Sequence, residues 1–91
     1  IVANNNHYGT IRYHQEVHFP TRDHYATNLV NPDFAKYGES FGLKCFTIHN
    51  TEEILPTIKS AMEVDGPSLI EFKMSLELNT STTTISQLQT N

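Results

Sequence analysis

The residues best suited to chemistry stand at the start of the chain, in Ile1-Val2-Ala3-Asn4-Asn5-Asn6-His7-Tyr8-Gly9-Thr10-Ile11-Arg12. A short apolar run breaks on three amides, and a glycine then opens a stretch compatible with a helix. Strand, polar switch and helix start is the layout of a ligand site at the carboxyl end of a parallel strand. Side-chain amide oxygens at such a switch can bind a hard cation such as Mg²⁺, and the unpaired N–H groups of the next helix can face a phosphate. The same trio also fits an ordinary strand-end turn, because asparagine hydrogen-bonds its own backbone and tolerates unusual dihedrals.

The elements that must position these residues can be read from pattern and punctuation. Ile1 to Ala3 reads as a strand and Tyr8 to about Val17 as a helix, with Gly9 allowing close approach of backbone to ligand. His18 to Val30 is polar and aperiodic, a long loop of the kind that more often carries function than not. Asn31 is expected to cap a second helix, with Pro32 at its first position, Asp33 in its first turn, and Phe34, Tyr37, Gly38 and Phe41 on one face; Gly42 supplies the stop. Leu43 to Ile48 is rich in strand formers.

A third helix follows, starting near Asn50 or Thr51, with Ile54, Ile58, Ala61, Met62 and Leu55 as its apolar stripe. Pro56 would sit past the first turn of that helix, which implies a bend near Glu52 or a later start. Asp65-Gly66-Pro67 is a turn. Ser68 to Met74 alternates as a strand, with Ile70, Phe72 and Met74 on one face and Glu71 and Lys73 on a face expected to be partly exposed. Strand, helix, helix, strand, helix, strand is the order of an open α/β sheet of about three parallel strands with crossover helices. Ile1 is expected to fall inside a strand, with the upstream half of the domain preceding it.

Four blocks, in this order, resemble a known family: Asn4-Asn5 with Tyr8-Gly9, Asn31-Pro32-Asp33-Phe34-Ala35-Lys36, Phe41-Gly42-Leu43-Lys44, and Gly66-Pro67-Ser68-Leu69-Ile70-Glu71. They resemble the C-terminal cofactor domain of thiamine diphosphate enzymes of the acetolactate synthase kind, over about residues 1–78, with 79–91 as a Thr- and Ser-rich tail. The resemblance implies half of a thiamine diphosphate-binding domain. It implies Mg²⁺ held by the Asn5 side-chain oxygen and the His7 main-chain carbonyl, and a cofactor contacted by Asn4, Tyr8, Gly9, Thr10 and Ile11. The family's motif also has an Asp expected before Ile1.

The resemblance further implies a parent enzyme that acts on a 2-oxo acid by decarboxylation or carboligation. It would be a homo-oligomer, with no catalytic side chain in these 91 residues and no activity expected from them alone. Gly9-Thr10-Ile11-Arg12-Tyr13-His14 departs from the Gly-Met-Val and Gln-Trp pattern usual in acetolactate synthases, so the substrate stays open while the cofactor assignment does not.

Composition excludes several other classes. Net charge is −4 with six scattered Lys and Arg, which leaves no basic stripe for a nucleic acid. No apolar run is long enough for a bilayer. Cys45 is the sole cysteine, so no internal disulfide can form and a cytoplasmic setting is expected; in a strand it reads as a small hydrophobe. Two rivals remain. His14 and His18, four apart, could share a helical face as zinc ligands with His7 or His24 as a third. The chain could also be a non-catalytic structural or interaction module whose pocket is vestigial.

Overall fold

A computed structural model of the chain describes residues 1–78 and 83–89. The elements run β1 (Val2–Asn4), α1 (Gly9–His18), α2 (Phe34–Ser40), β2 (Lys44–Ile48), a 3-10 turn (Thr51–Glu53), α3 (Ile54–Met62), β3 (Ser68–Lys73) and α4 (Ile85–Gln89). The expected α/β class is observed: three parallel strands form an open sheet in the order β1-β3-β2. Two compact units arise, Ile1–Asn4 with Asn31–Met74, and Asn5–Val30 with the described residues from Ser75 onward. Of the tail expected over 79–91, residues 79–82, 90 and 91 lie outside the described residues.

The first unit holds the sheet. β3 is central, with Val2 opposite Glu71 on one side and Phe46 opposite Ile70 on the other. Ile48, Ile70 and Ala61 form the buried core, joined by Phe46, Ile54 and Phe72. The alternation read along Ser68 to Met74 therefore places Ile70 and Phe72 at the core, whereas Met74, expected on the same face, lies past the end of β3 and is exposed. Ile58, Met62 and Leu55, expected in the buried stripe of α3, are exposed instead, and of that stripe Ile54 and Ala61 alone reach the sheet-side cluster.

Helix starts were the least legible feature. α2 is capped by Asp33, whose carboxylate accepts the Lys36 N–H, so Asn31 is not the cap and Pro32 lies before the helix. Gly42 ends it as expected, at φ +82, with the Gly42 and Leu43 N–H groups turned back to the carbonyls of Glu39 and Gly38. Gly38 is required where α2 meets the sheet: a Cβ there would lie 2.5 Å from Cys45 Sγ. α3 starts at Ile54, after the 3-10 turn capped by Asn50, so Pro56 falls within its first turn, where the missing donor costs little.

The largest departure is Glu71. Its face of β3 was expected to be partly exposed, yet Glu71 is 1% exposed. A carboxylate so buried is tolerable only when paired and hydrogen-bonded. Here Oε2 accepts the Asn4 side-chain amide at 2.7 Å and lies 2.8 Å from Lys73 Nζ. A central strand has neighbours on both edges, and the partner on β1 is 67 residues away in sequence. No local pattern reports it.

The second unit is built differently. α1 buries none of its residues and is tied by side-chain and backbone bonds: Arg12 to Glu16 at 2.7 Å, and Gln15, whose side chain both donates to and accepts from the Tyr25 backbone. The loop expected from His18 is observed from Phe19 to Val30 without helix or strand. α4 packs along α1, with the Gln89 side chain donating to the Glu16 carbonyl. Ile85, at the start of α4, is 3% exposed. Among the described residues no helix is long and apolar enough to cross a membrane.

Candidate functional site

Asn5 to Ile11, all in the second unit, form a turn into α1. Asn6 takes φ +59, the left-handed conformation that asparagine adopts at lower cost than most residues and that reverses the chain between extended backbone and helix. The turn is pinned to the loop: Tyr8 N–H donates to the Thr27 carbonyl and Leu29 N–H to the Asn6 carbonyl, both at 2.8 Å. These two bonds flank the isolated antiparallel bridge His7–Asn28, which leaves the His7 carbonyl outside it.

Asn5 is set from both ends of its amide. Oδ1 accepts the His7 N–H at 3.0 Å, an Asx turn that leaves a second lone pair on the oxygen. Nδ2 rests on Gly9, where a Cβ would come within 2.9 Å of it. A Cβ at Gly9 would thus require the Asn5 amide to shift. α1 begins at this glycine with no side-chain cap from Tyr8, so the first-turn N–H groups of Gly9, Thr10 and Ile11 carry the positive end of the helix uncapped.

Two cavities open on these residues. One, of about 280 Å³, is lined by His7, Tyr8, Gly9, Thr10 and Ile11. The other, of about 180 Å³, brings Asn5, Gly9 and Thr10 together with Leu76, Leu78 and Ile85. An amide side chain in an Asx turn, an uncapped helix start and a position with no side chain thus stand side by side. Six of the seven residues expected at the site are therefore brought to one place within one unit.

Asn4 is the seventh, and its side chain is engaged in the first unit. Its amide nitrogen donates to Glu71, and its oxygen accepts the Asn31 amide at 2.9 Å. The residues missed by sequence reading are Thr27 and Leu29, which pin the turn by backbone bonds and carry no side-chain signature, and Leu76 and Leu78, which wall the smaller cavity. Ile85 had a signal, its apolar spacing with Leu88 in a polar tail.

The histidine reading finds little support. His14 and His18 do share a face of α1, with rings stacked 5.5 Å apart, but among the described residues no three His, Cys, Asp or Glu side chains gather as a metal site. Tyr13 and His14 make an edge contact with each other, 5.0 Å between rings. Cys45 is free, and burial with the nearby Glu39 carboxylate pushes its thiol above the ordinary value, the opposite of an activated nucleophile.

Residues 1–72 match the family described as thiamine pyrophosphate enzyme, C-terminal TPP binding domain, and the chain belongs to that family. Its relatives agree. The acetolactate synthase large subunit of Porphyra purpurea is 30% identical over 76 residues, 82% of this chain. The putative thiamine pyrophosphate-containing protein YdaP of Bacillus subtilis (strain 168) is 31% identical over 77 residues, 85% of the chain. The mitochondrial acetolactate synthase catalytic subunit of Saccharomyces cerevisiae is 30% identical over 74 residues, 81% of the chain. The chain spans 13% of the first two relatives and 11% of the third.

Proposed function

We propose that this chain is the cofactor-holding C-terminal part of a thiamine diphosphate- and Mg²⁺-dependent enzyme, acetolactate synthase-like, that decarboxylates a 2-oxo acid and carries out or omits a following carboligation. The observation that carries the reading is the uncapped start of α1, with Gly9 under the Asn5 amide, in a chain of this family. Asn5 Oδ1 and the His7 carbonyl would ligate Mg²⁺. The N–H groups of Gly9, Thr10 and Ile11 would donate to the diphosphate, where the helix dipole favours negative charge. Tyr8 and Ile11 would wall the cleft, and Asn4 would hold the end of β1.

Thiamine diphosphate, when bound, supplies an electron sink for breaking the bond to the carboxylate of a 2-oxo acid. What the chain contributes is placement, because a fixed diphosphate fixes the reactive ring relative to it. No catalytic side chain is assigned within the 91 residues, and the chain alone is expected to be inactive. The enzyme would be a homo-oligomer, in keeping with the family, and the free Cys45 suits a reducing cytoplasm. Calorimetry on the full-length, cofactor-stripped protein tests the reading: uptake of thiamine diphosphate that needs Mg²⁺ supports it. Absence of uptake overturns it in favour of a non-catalytic module.

A further inference from the structure

We infer that Gln15 is a positioning residue for the cofactor turn, acting through loop residues 25–27, which hold the start of α1. The inference rests on the function proposed above and uses contacts of the second unit alone. Tyr8 is the point where turn becomes helix: its carbonyl accepts the Arg12 N–H at 2.9 Å, and its N–H donates to the Thr27 carbonyl at 2.8 Å. The Thr27 carbonyl therefore helps decide where α1 begins, and the N–H groups next in line are those of Gly9, Thr10 and Ile11.

Thr27 lies in a loop without helix or strand, so its carbonyl must be held by contacts of the loop itself. Ala26, the residue before it, sits at φ +57. A non-glycine residue persists in that region only where the surrounding contacts over-determine it. On one side of Ala26 the constraint is Gln15, whose Oε1 accepts the Tyr25 N–H at 2.7 Å and whose Nε2 donates to the Tyr25 carbonyl at 3.0 Å. On the other side it is the bond from Tyr8 to Thr27. One side-chain amide thus takes both backbone groups of Tyr25, as the facing residue of a neighbouring strand would. A closed circuit results, from Tyr8 across to Thr27, back to Tyr25, over to Gln15, and along α1 to Tyr8.

Glu16 also reaches the loop, with Oε1 3.3 Å from His24 Nδ1. That contact joins two side chains and does not fix the backbone dihedrals of Tyr25 and Ala26. The Gln15 amide does, because it grips the main chain. Both of its bonds are exposed to solvent, so their loss is expected to loosen the loop without unfolding the protein.

The test uses the full-length protein, with thiamine diphosphate affinity measured by calorimetry at saturating Mg²⁺ and hydrogen exchange of the Tyr8 amide measured without cofactor. Gln15→Met keeps the length of the side chain and removes both bonds. It is expected to raise the dissociation constant about 3- to 10-fold, the scale of one or two hydrogen bonds, and to speed exchange at Tyr8 while the strands of the sheet stay protected. Gln15→Glu keeps the acceptor for the Tyr25 N–H and loses the donor, so a smaller rise is expected. A general structural role would lower the unfolding temperature and leave the affinity of the folded protein unchanged. A folded Gln15→Met protein with wild-type affinity overturns the inference, as does one whose Tyr8 amide exchanges no faster than that of the wild type. Should Gln15→Met fail to fold, Gln15→Glu decides by the same two readouts. A wild-type protein that takes up no cofactor overturns the proposed function itself, which separates the two failures.

Discussion

The two units of this chain are stabilised by different means. In the sheet unit, three registered strands, the Ile48, Ile70 and Ala61 cluster, and the Glu71 contacts are linked across long sequence separations. In the other unit, α1 buries no residue, two non-glycine positions, Asn6 and Ala26, sit at positive φ, and the turn is tied by single backbone bonds. Thr27, 1% exposed there, leaves its hydroxyl without a hydrogen-bond partner among the described residues. Segments with few buried apolar contacts and strained turns open at low free energy, and ligand sites are drawn from them. One unit supplies a frame. The other carries the proposed ligating groups, whose order a ligand would complete.

That contrast breaks if mutations in the two units have the same signature. Ile70→Ala, in the core of the sheet, is expected to cost about 2–5 kcal/mol in denaturant unfolding while the folded protein keeps its cofactor affinity. Asn5→Ala should do the reverse, raising the cofactor dissociation constant by about 10-fold or more with little change in unfolding midpoint, and chelation of Mg²⁺ should mimic it. Gly9→Ala sharpens the point. Its Cβ would displace the Asn5 amide, 2.9 Å away, so a several-fold loss of affinity is expected by calorimetry, on the order of 1 kcal/mol.

The smallest effect concerns α4. The Ser86 hydroxyl and N–H, at 2.7 and 3.3 Å, hold the Glu77 carboxyl below the usual carboxylate range. A depressed folded value means that the contact contributes fully above the ordinary carboxylate value and is lost as pH falls through the folded one. Amide protection across Ile85–Gln89, taken relative to the intrinsic exchange rate at each pH, is therefore expected to fall in acid, and Ser86→Ala to abolish most of that pH dependence. An exchange profile unchanged by the substitution would remove Glu77 from the account.

The sequence alone determined the parts of this protein that local chemistry dictates. The three strands to within a residue at their ends, the glycine stop at Gly42, the alternation of Ile70 and Phe72, and the amide trio ahead of Gly9 are properties of neighbouring residues, and so was the family resemblance they carried. Even there, Asn31 was expected as the cap where Asp33 serves, because both side chains can accept a helix N–H. Only the tertiary structure decided between them, since Asn31 is drawn to Asn4. It also decided that Glu71 is buried and that Leu76, Leu78 and Ile85 wall the cavity of Asn5. Those outcomes depend on partners tens of residues away, and periodicity reports which face a side chain takes without reporting what the fold sets against it.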